Sequence, residues 1–231
     1  MLTGKRIVVT GASSGIGKSV AKLLSQKGAH IIALSRSTPT LPGVEHHKTD
    51  LRNPEQIAKS FKKIGPFDIL INNAGMAYSS SLMSGPLDEW NEMWEVNVRA
   101  LAYASQLALQ AFPNSEGQII NISSMSGHRV PPSGGFYAPT KFAVRALTES
   151  LRLELRSASN STRVSSISPG FVDTPLLDTY FKGKEEQLTQ TKESIKMLTP
   201  EDIANQVLNI LKTPLHVEVG DIAMRSVSQT I

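Results

Sequence analysis

A chain of 231 residues with 40% apolar and 19% charged side chains carries enough apolar material for one substantial core, which excludes disordered and fibrous classes. The absence of cysteine excludes disulfides, thiolate nucleophiles, iron–sulfur clusters and cysteine zinc sites together, and the adjacent His46 and His47 suit no metal pair, so no metal site is expected. The net charge of +4 is spread along the chain, its densest patch (Lys59, Lys62, Lys63) reading as a solvated helix face, and no apolar run reaches membrane-span length, so neither nucleic acid nor membrane is an expected partner.

Lys5 and Arg6 lead straight into a strand over residues 6–10, which leaves no room for a signal peptide and makes a soluble cytoplasmic protein the expectation. Residues 15–28 read as a helix with Val20, Leu23 and Leu24 on one face and Gly28 as its stop. Residues 30–34 form a second strand and 44–47 a weak third. Asn53-Pro54-Glu55 opens a helix to about residue 64, with proline in its first turn. A fourth strand follows at 68–72, a helical stretch with a break at 87–112, and a fifth strand at 118–123. Residues 136–156 read as a long helix with Leu147, Leu151 and Leu155 among its apolar positions, and 163–168 as a sixth strand. The polar stretch 170–194, with Phe171, Leu176, Leu177, Tyr180 and Phe181 embedded, is expected to be irregular, and the segment to about 198 to serve as a substrate loop. Thr199-Pro200-Glu201 starts a helix to about 211, and 216–219 reads as a last short strand. Buried strands alternating with helices predict one α/β domain over residues 1–231, a doubly wound parallel sheet of about seven strands with helices on both faces.

The first strand–helix turn is Thr10-Gly11-Ala12-Ser13-Ser14-Gly15-Ile16-Gly17. Its first glycine lets the chain turn sharply out of the strand. The second lets backbone N–H groups approach a pyrophosphate, and the third lets the helix pack closely on the sheet. The helix N-terminus then presents unpaired N–H groups and its positive end to phosphate. At the end of strand two, where an NAD site needs a carboxylate, stands Ser35-Arg36-Ser37-Thr38. A guanidinium and hydroxyls suit a 2′-phosphate, so the expected cofactor is NADP(H).

Ser124 lies just past strand five, Tyr137 follows thirteen residues later and Lys141 four after that. With the glycine turn, Asn72-Asn73-Ala74-Gly75 and Pro169-Gly170, this order resembles the short-chain dehydrogenase/reductase family over essentially the whole chain, and so a Rossmann-type fold. Tyr137 and Lys141 sit one helical turn apart on one face. A free phenol has a pKa of about 10, and using it near neutrality takes about 4 kcal/mol of help. An ammonium and an oxidised nicotinamide beside it supply that help. The resemblance implies that Tyr137 is the general acid/base, that Lys141 also holds the nicotinamide ribose, that Ser124 binds the substrate oxygen, and that Asn97 orders a water leading to Lys141. It further implies cofactor contacts from Ser13, Ser14 and Ile16, adenine bracketing by Asp50 and Leu51, and a cleft built by Asn73, Ala74 and Gly75. Pro169, Gly170, Val172 and Thr174 would meet the nicotinamide end. A second Tyr-x-x-x-Lys match, Tyr180 to Lys184, lacks a serine at the expected distance and reads as a decoy. One departure from the family stands out: only seven residues, including Pro39 and Pro42, separate Arg36 from Val44, too few for the helix the family places there.

Candidates for the substrate wall are Met76, His128, Phe136, Phe171 and Tyr180, together with Leu176, Leu177 and Phe181. Most are apolar and suit a terpenoid, retinoid, steroid or aromatic carbonyl. Arg129 belongs to the same set and either meets solvent or pairs with a substrate carboxylate. Ser126-Gly127-His128-Arg129-Val130, Leu198-Thr199-Pro200-Glu201-Asp202 and Gly220-Asp221-Ile222-Ala223-Met224-Arg225 resemble a branch with two styles. One holds farnesol, retinoid and ketosteroid reductases; the other holds bacterial NADP-dependent dehydrogenases of serine and 3-hydroxy acids. The sequence leaves both open. In the family, helices equivalent to 98–112 and 137–156 pair across a two-fold axis, so a homodimer or homotetramer is expected. A non-catalytic NADP sensor on the same fold is the rival reading, against which the intact Ser124, Tyr137, Lys141 and Asn97 stand.

Overall fold

The computed structural model describes residues 2–132 and 134–229. Seven parallel strands form one sheet in the order β3-β2-β1-β4-β5-β6-β7: β1 Arg6–Thr10, β2 His30–Ser35, β3 Glu45–Lys48, β4 Ile69–Asn72, β5 Gln118–Ile122, β6 Arg163–Pro169 and β7 Asp221–Met224. The chain leaves β1 toward β2 and β3, then returns to the other side of β1 with β4. That reversal opens a crevice at the carboxyl ends of β1 and β4, where a doubly wound sheet of Rossmann type binds its ligand.

Helices cover both faces, which is why Ile7, Val8 and Val9 have no exposed surface. On one face α1 (Gly15–Gln26) and α8 (Pro200–Leu211) bring Val20, Leu24, Ile203 and Val207 against the strands. On the other, α2 (Pro54–Ile64), α4 (Leu101–Ala111) and α5 (Tyr137–Ser157) contribute Ile57, Phe61, Ala104, Ala108 and Leu155. The caps fall where the sequence puts them. Asn53 accepts a hydrogen bond from the Gln56 N–H to open α2, and Thr199 with Asp202 forms a reciprocal capping box on α8.

Between α3 (Leu87–Trp94) and α4 the expected break is a π-helical turn, Glu95–Ala100. No helix separates β2 from β3. Two expectations are corrected. The last strand is β7 at Asp221–Met224 and not 216–219, whose alternating residues have another task. The Val217 carbonyl accepts from Arg163 (3.1 Å), and the Glu218 carboxylate accepts from the Val164 N–H (2.8 Å), so this stretch caps the start of β6 instead of extending the ladder. The stretch 170–194 is largely helical, with α6 at Leu176–Tyr180 and α7 at Glu185–Ser194. No residue of α7 is buried, so it carries no apolar periodicity from which to read a helix.

Candidate functional site

The ends of β1 and β4 are locked together before any ligand arrives. The Thr10 hydroxyl accepts from the backbone N–H groups of Asn73 and Ala74, 3.0 Å each, while the Asn73 amide donates to the Thr10 carbonyl at 2.9 Å. Gly11 has φ +69°, and a Cβ there would stand 2.9 Å from the Ala74 Cα. The first turn of α1 holds no acidic residue, and Ser14 makes no side-chain cap, so its leading N–H groups face the crevice ready for an anion. That geometry fits a dinucleotide pyrophosphate.

A cleft of about 710 Å³ runs from this turn along the carboxyl edge of the sheet. It gathers Gly11, Ser13, Ser14, Gly15 and Ile16 from the turn, Ser35 and Arg36 from the end of β2, and Asp50 and Leu51 after β3. Asn73, Ala74 and Gly75 line its floor, and Pro169, Gly170, Val172 and Thr174 its far wall. Gly17 is the exception among the expected cofactor residues. It is buried beneath the turn and shapes the cleft without lining it.

The Asp50 carboxylate is not free: it accepts from Arg52 Nε (3.0 Å), Nη2 (2.7 Å) and the Arg52 backbone N–H (3.0 Å), which holds it below the usual carboxylate range. Arg52 also donates to Glu92 at 2.5 Å, and Glu92 accepts from the Tyr78 hydroxyl at 2.5 Å. Arg52 and Glu92 both line the cleft and were not legible in the sequence, because three separate segments meet to form this network. Gln229 is a second such residue. It comes from the C-terminal tail, lies buried in the cleft wall, and its Oε1 accepts from the Phe171 N–H at 3.0 Å.

Ser124, Tyr137 and Lys141 open onto the same cleft. Ser124 caps a short 3₁₀ turn, Met125–Gly127, by accepting from the Ser126 N–H (3.1 Å), and its hydroxyl stands near enough to the Tyr137 phenol to favour the phenolate. Lys141 Nζ lies 5.7 Å from the Tyr137 ring centre and donates to the Ile122 carbonyl at 3.1 Å. Asn97 sits in the π-helical turn, buried behind this group. Its amide donates to the Met76 carbonyl (2.8 Å) and the Thr140 hydroxyl (3.0 Å), and its Oδ1 accepts from the Met76 N–H (2.8 Å). Both amide donors are thus engaged. The oxygen faces the gap at Gly75, where a Cβ would stand 3.4 Å from it and 3.8 Å from Lys141 Nζ.

Burial sets the electrostatics. It pushes the Tyr137 phenol well above its ordinary value, with the Ser124 hydroxyl opposing, and it pulls Lys141 down to about 8. An opposite charge brought beside either group reverses the shift, so the pair is poised to respond to an occupant.

The substrate candidates divide. Met76, Phe171 and Tyr180 line the cleft, as do Leu176 and Leu177, and the Tyr180 ring stands edge-on to Tyr137 at 5.9 Å. His128 and Phe136 do not line it. His128 Nε2 lies 2.8 Å from the Asp221 carboxylate on β7, and Phe136 stacks on Trp90 at 5.2 Å, bracing the start of α5 from outside. Phe181 is buried against Tyr180 and also stands outside the cleft. Lys184 turns away from Tyr180 to the Ser79 hydroxyl (2.8 Å), so the second Tyr-x-x-x-Lys match builds no second centre.

Residues 5–185 match the short chain dehydrogenase family. Among proteins similar in sequence, dehydrogenase/reductase SDR family member 11 of Bos taurus is 41% identical over 244 residues, covering 96% of each chain. Among solved structures, the closed form of a serine dehydrogenase complexed with NADP+ is similar with a TM-score of 0.91 and 28% identity, covering 98% of this chain and 96% of that one. An alcohol dehydrogenase from the archaeon Thermococcus sibiricus, complexed with 5-hydroxy-NADP, is similar at 0.82 and 28%, covering 98% of each.

Proposed function

The chain belongs to the short-chain dehydrogenase family, and on that premise we propose that it is an NADP(H)-dependent oxidoreductase acting on a carbonyl or on a primary or secondary alcohol. The observation that carries this reading is the single cleft shared by the open N-terminal turn of α1 and by Ser124, Tyr137 and Lys141. The nicotinamide, when bound, supplies or takes up the hydride. In the reductive direction Tyr137 donates its phenolic proton to the substrate oxygen, and the Ser124 hydroxyl hydrogen-bonds that oxygen as charge gathers on it. Lys141, held near 8, returns a proton to Tyr137. Asn97 holds the Met76 backbone and Thr140 in register, and the remaining lone pair of its Oδ1 orders the water that leads to Lys141.

The preference for NADP(H) rests on Arg36, exposed at the cleft edge, with no carboxylate at the end of β2 to repel a 2′-phosphate. Two of the similar solved structures hold NADP+ or an NADP derivative. Arg36→Ala should lower the ratio of NADPH to NADH affinity by about 10- to 100-fold, the loss of one or two charge-assisted hydrogen bonds. Fluorescence titration of both cofactors measures it, and an unchanged ratio would remove the assignment.

The substrate end is walled by Met76, Ala77, Phe171, Leu176, Leu177 and Tyr180, which favours a substrate with an apolar body. The test of function is NADPH absorbance decay with an aromatic diketone, a steroid ketone and a terpenoid aldehyde, and oxidation of serine with NADP+. Turnover of any one excludes the sensor, and the pattern separates carbonyl reductases from hydroxy acid dehydrogenases. Absence of any turnover by protein that binds NADPH would contradict the enzyme reading.

A homo-oligomer is part of the same proposal. On α5, Phe142 and Leu153 remain 39% and 52% exposed, an apolar surface that pairing of this helix with its copy would cover. Light scattering at micromolar concentration should return a dimer or tetramer; a monomer would contradict it.

A further inference from the structure

We propose that Arg129 anchors a carboxylate of the substrate, so that the preferred substrates are oxo or hydroxy acids with an apolar body. The assignment rests on the oxidoreductase reading and narrows it. The chain has ten arginines. Seven donate side-chain hydrogen bonds within the fold. Among the described residues Arg36, Arg129 and Arg225 have no acceptor. Arg225 is exposed and outside the cleft; the other two line it. Arg36 is accounted for at the end of β2. Arg129 is half-buried and comes off the turn that carries Ser124, its backbone N–H donating to the Met125 carbonyl at 3.3 Å.

A guanidinium partly stripped of water and left without an acceptor is costly to the fold. The protein offers it no relief. The carboxylates lining the cleft, Asp50 and Glu92, are both bound to Arg52. Asp221, the carboxylate beside neighbouring His128, is shared by that histidine (2.8 Å) and Arg145 (2.9 Å). Pro131 and Pro132, next along the cleft wall, have no side-chain polar atom to offer. A planar carboxylate accepts two parallel hydrogen bonds from this fork, and the apolar wall takes the rest of the molecule.

Two matched pairs test this in NADPH oxidation: 2-oxo-4-phenylbutanoate with its ethyl ester, and 4-oxo-4-phenylbutanoate with its methyl ester. In the wild type, kcat/KM for the acid should exceed that for the ester by about 100-fold in at least one pair. Arg129→Gln should cut that ratio about 100-fold, mostly through KM, and Arg129→Lys should restore part of it. Equal turnover of acid and ester, turnover of esters alone, or a ratio that Arg129→Gln leaves in place overturns the anchor and leaves the oxidoreductase standing. No turnover of any member here, nor of the carbonyl and serine panel, overturns both.

Discussion

Tyr137→Phe should reduce kcat/KM for carbonyl reduction by about 10³-fold while the protein stays folded and still binds NADPH. The substitution is surgical in this setting. The ring is buried and packed edge-on against Tyr180, contacts that phenylalanine keeps. Ser124 loses the nearby phenol but retains the Ser126 N–H, so no polar atom in the wall is orphaned and stability should change by no more than about 1 kcal/mol. What disappears is the proton. General acid catalysis by a positioned group contributes about 10²- to 10⁴-fold, and Tyr180, the other phenol lining the cleft, cannot take over, because Lys184 turns away from it to the Ser79 hydroxyl. The wild-type rate has a matching pH dependence. Burial lowers the lysine, so its ammonium form persists below about pH 8 and is lost above it, and the reductive rate should fall as pH rises through that value. Stopped-time absorbance assays across about pH 6 to 10, at saturating NADPH, read both effects (the window is chosen to bracket about one to two units on either side of the lysine). A Tyr137→Phe variant retaining more than about a tenth of the wild-type kcat/KM would remove Tyr137 from the proposed role.

Much of the fold and of the candidate site's placement was readable because it is written at short range. A glycine turn inside a strand–turn–helix, a tyrosine and lysine one turn apart, and caps at Asn53 and Thr199 each express their geometry within a few residues. What escaped the sequence depends on distance. His128 and Phe136 both lie between Ser124 and Tyr137 in the chain, yet Asp221 draws one to β7 and Trp90 takes the other outside the cleft. Arg52, Glu92 and Tyr78 look like ordinary surface residues until the fold brings the loop after β3, α3 and the segment after β4 together. Gln229 belongs to a tail with no motif, and only its backbone-bound amide oxygen reveals a part in the wall. The misplaced last strand has the same origin. Residues 216–219 alternate as a strand does, but the buried Arg163 guanidinium takes the Val217 carbonyl, and the Glu218 carboxylate takes the Val164 N–H. A local pattern cannot register a cation that arrives from fifty residues upstream.

Gly17→Ala should destabilise the protein by about 2–3 kcal/mol and weaken NADPH binding by at least about 30-fold, although in an open helix the same change stabilises by about 1 kcal/mol. The reason is space and not backbone strain, since Gly17 lies in α1 outside the left-handed region. A Cβ there would stand 2.3 Å from the Asn73 amide nitrogen and 2.4 Å from the Gly11 carbonyl oxygen. Neither can retreat cheaply. The Asn73 amide holds β4 to the Thr10 carbonyl, and the space beside Gly11 is so narrow that a Cβ there would stand 2.9 Å from the Ala74 Cα. Relieving the clash must therefore lift α1 off the sheet or part the ends of β1 and β4, and either movement spoils the phosphate cradle. Stability and cofactor affinity should fall together, which a site residue that merely touched the dinucleotide would not produce. Gly220→Ala is the control, because Gly220 has no positive φ and nothing within 4 Å of its Cβ position. Urea unfolding and NADPH titration of the two variants decide the matter. If Gly17→Ala proves as stable as Gly220→Ala and binds NADPH as tightly as the wild type, the close packing of helix against turn is not what builds the cofactor end of the cleft.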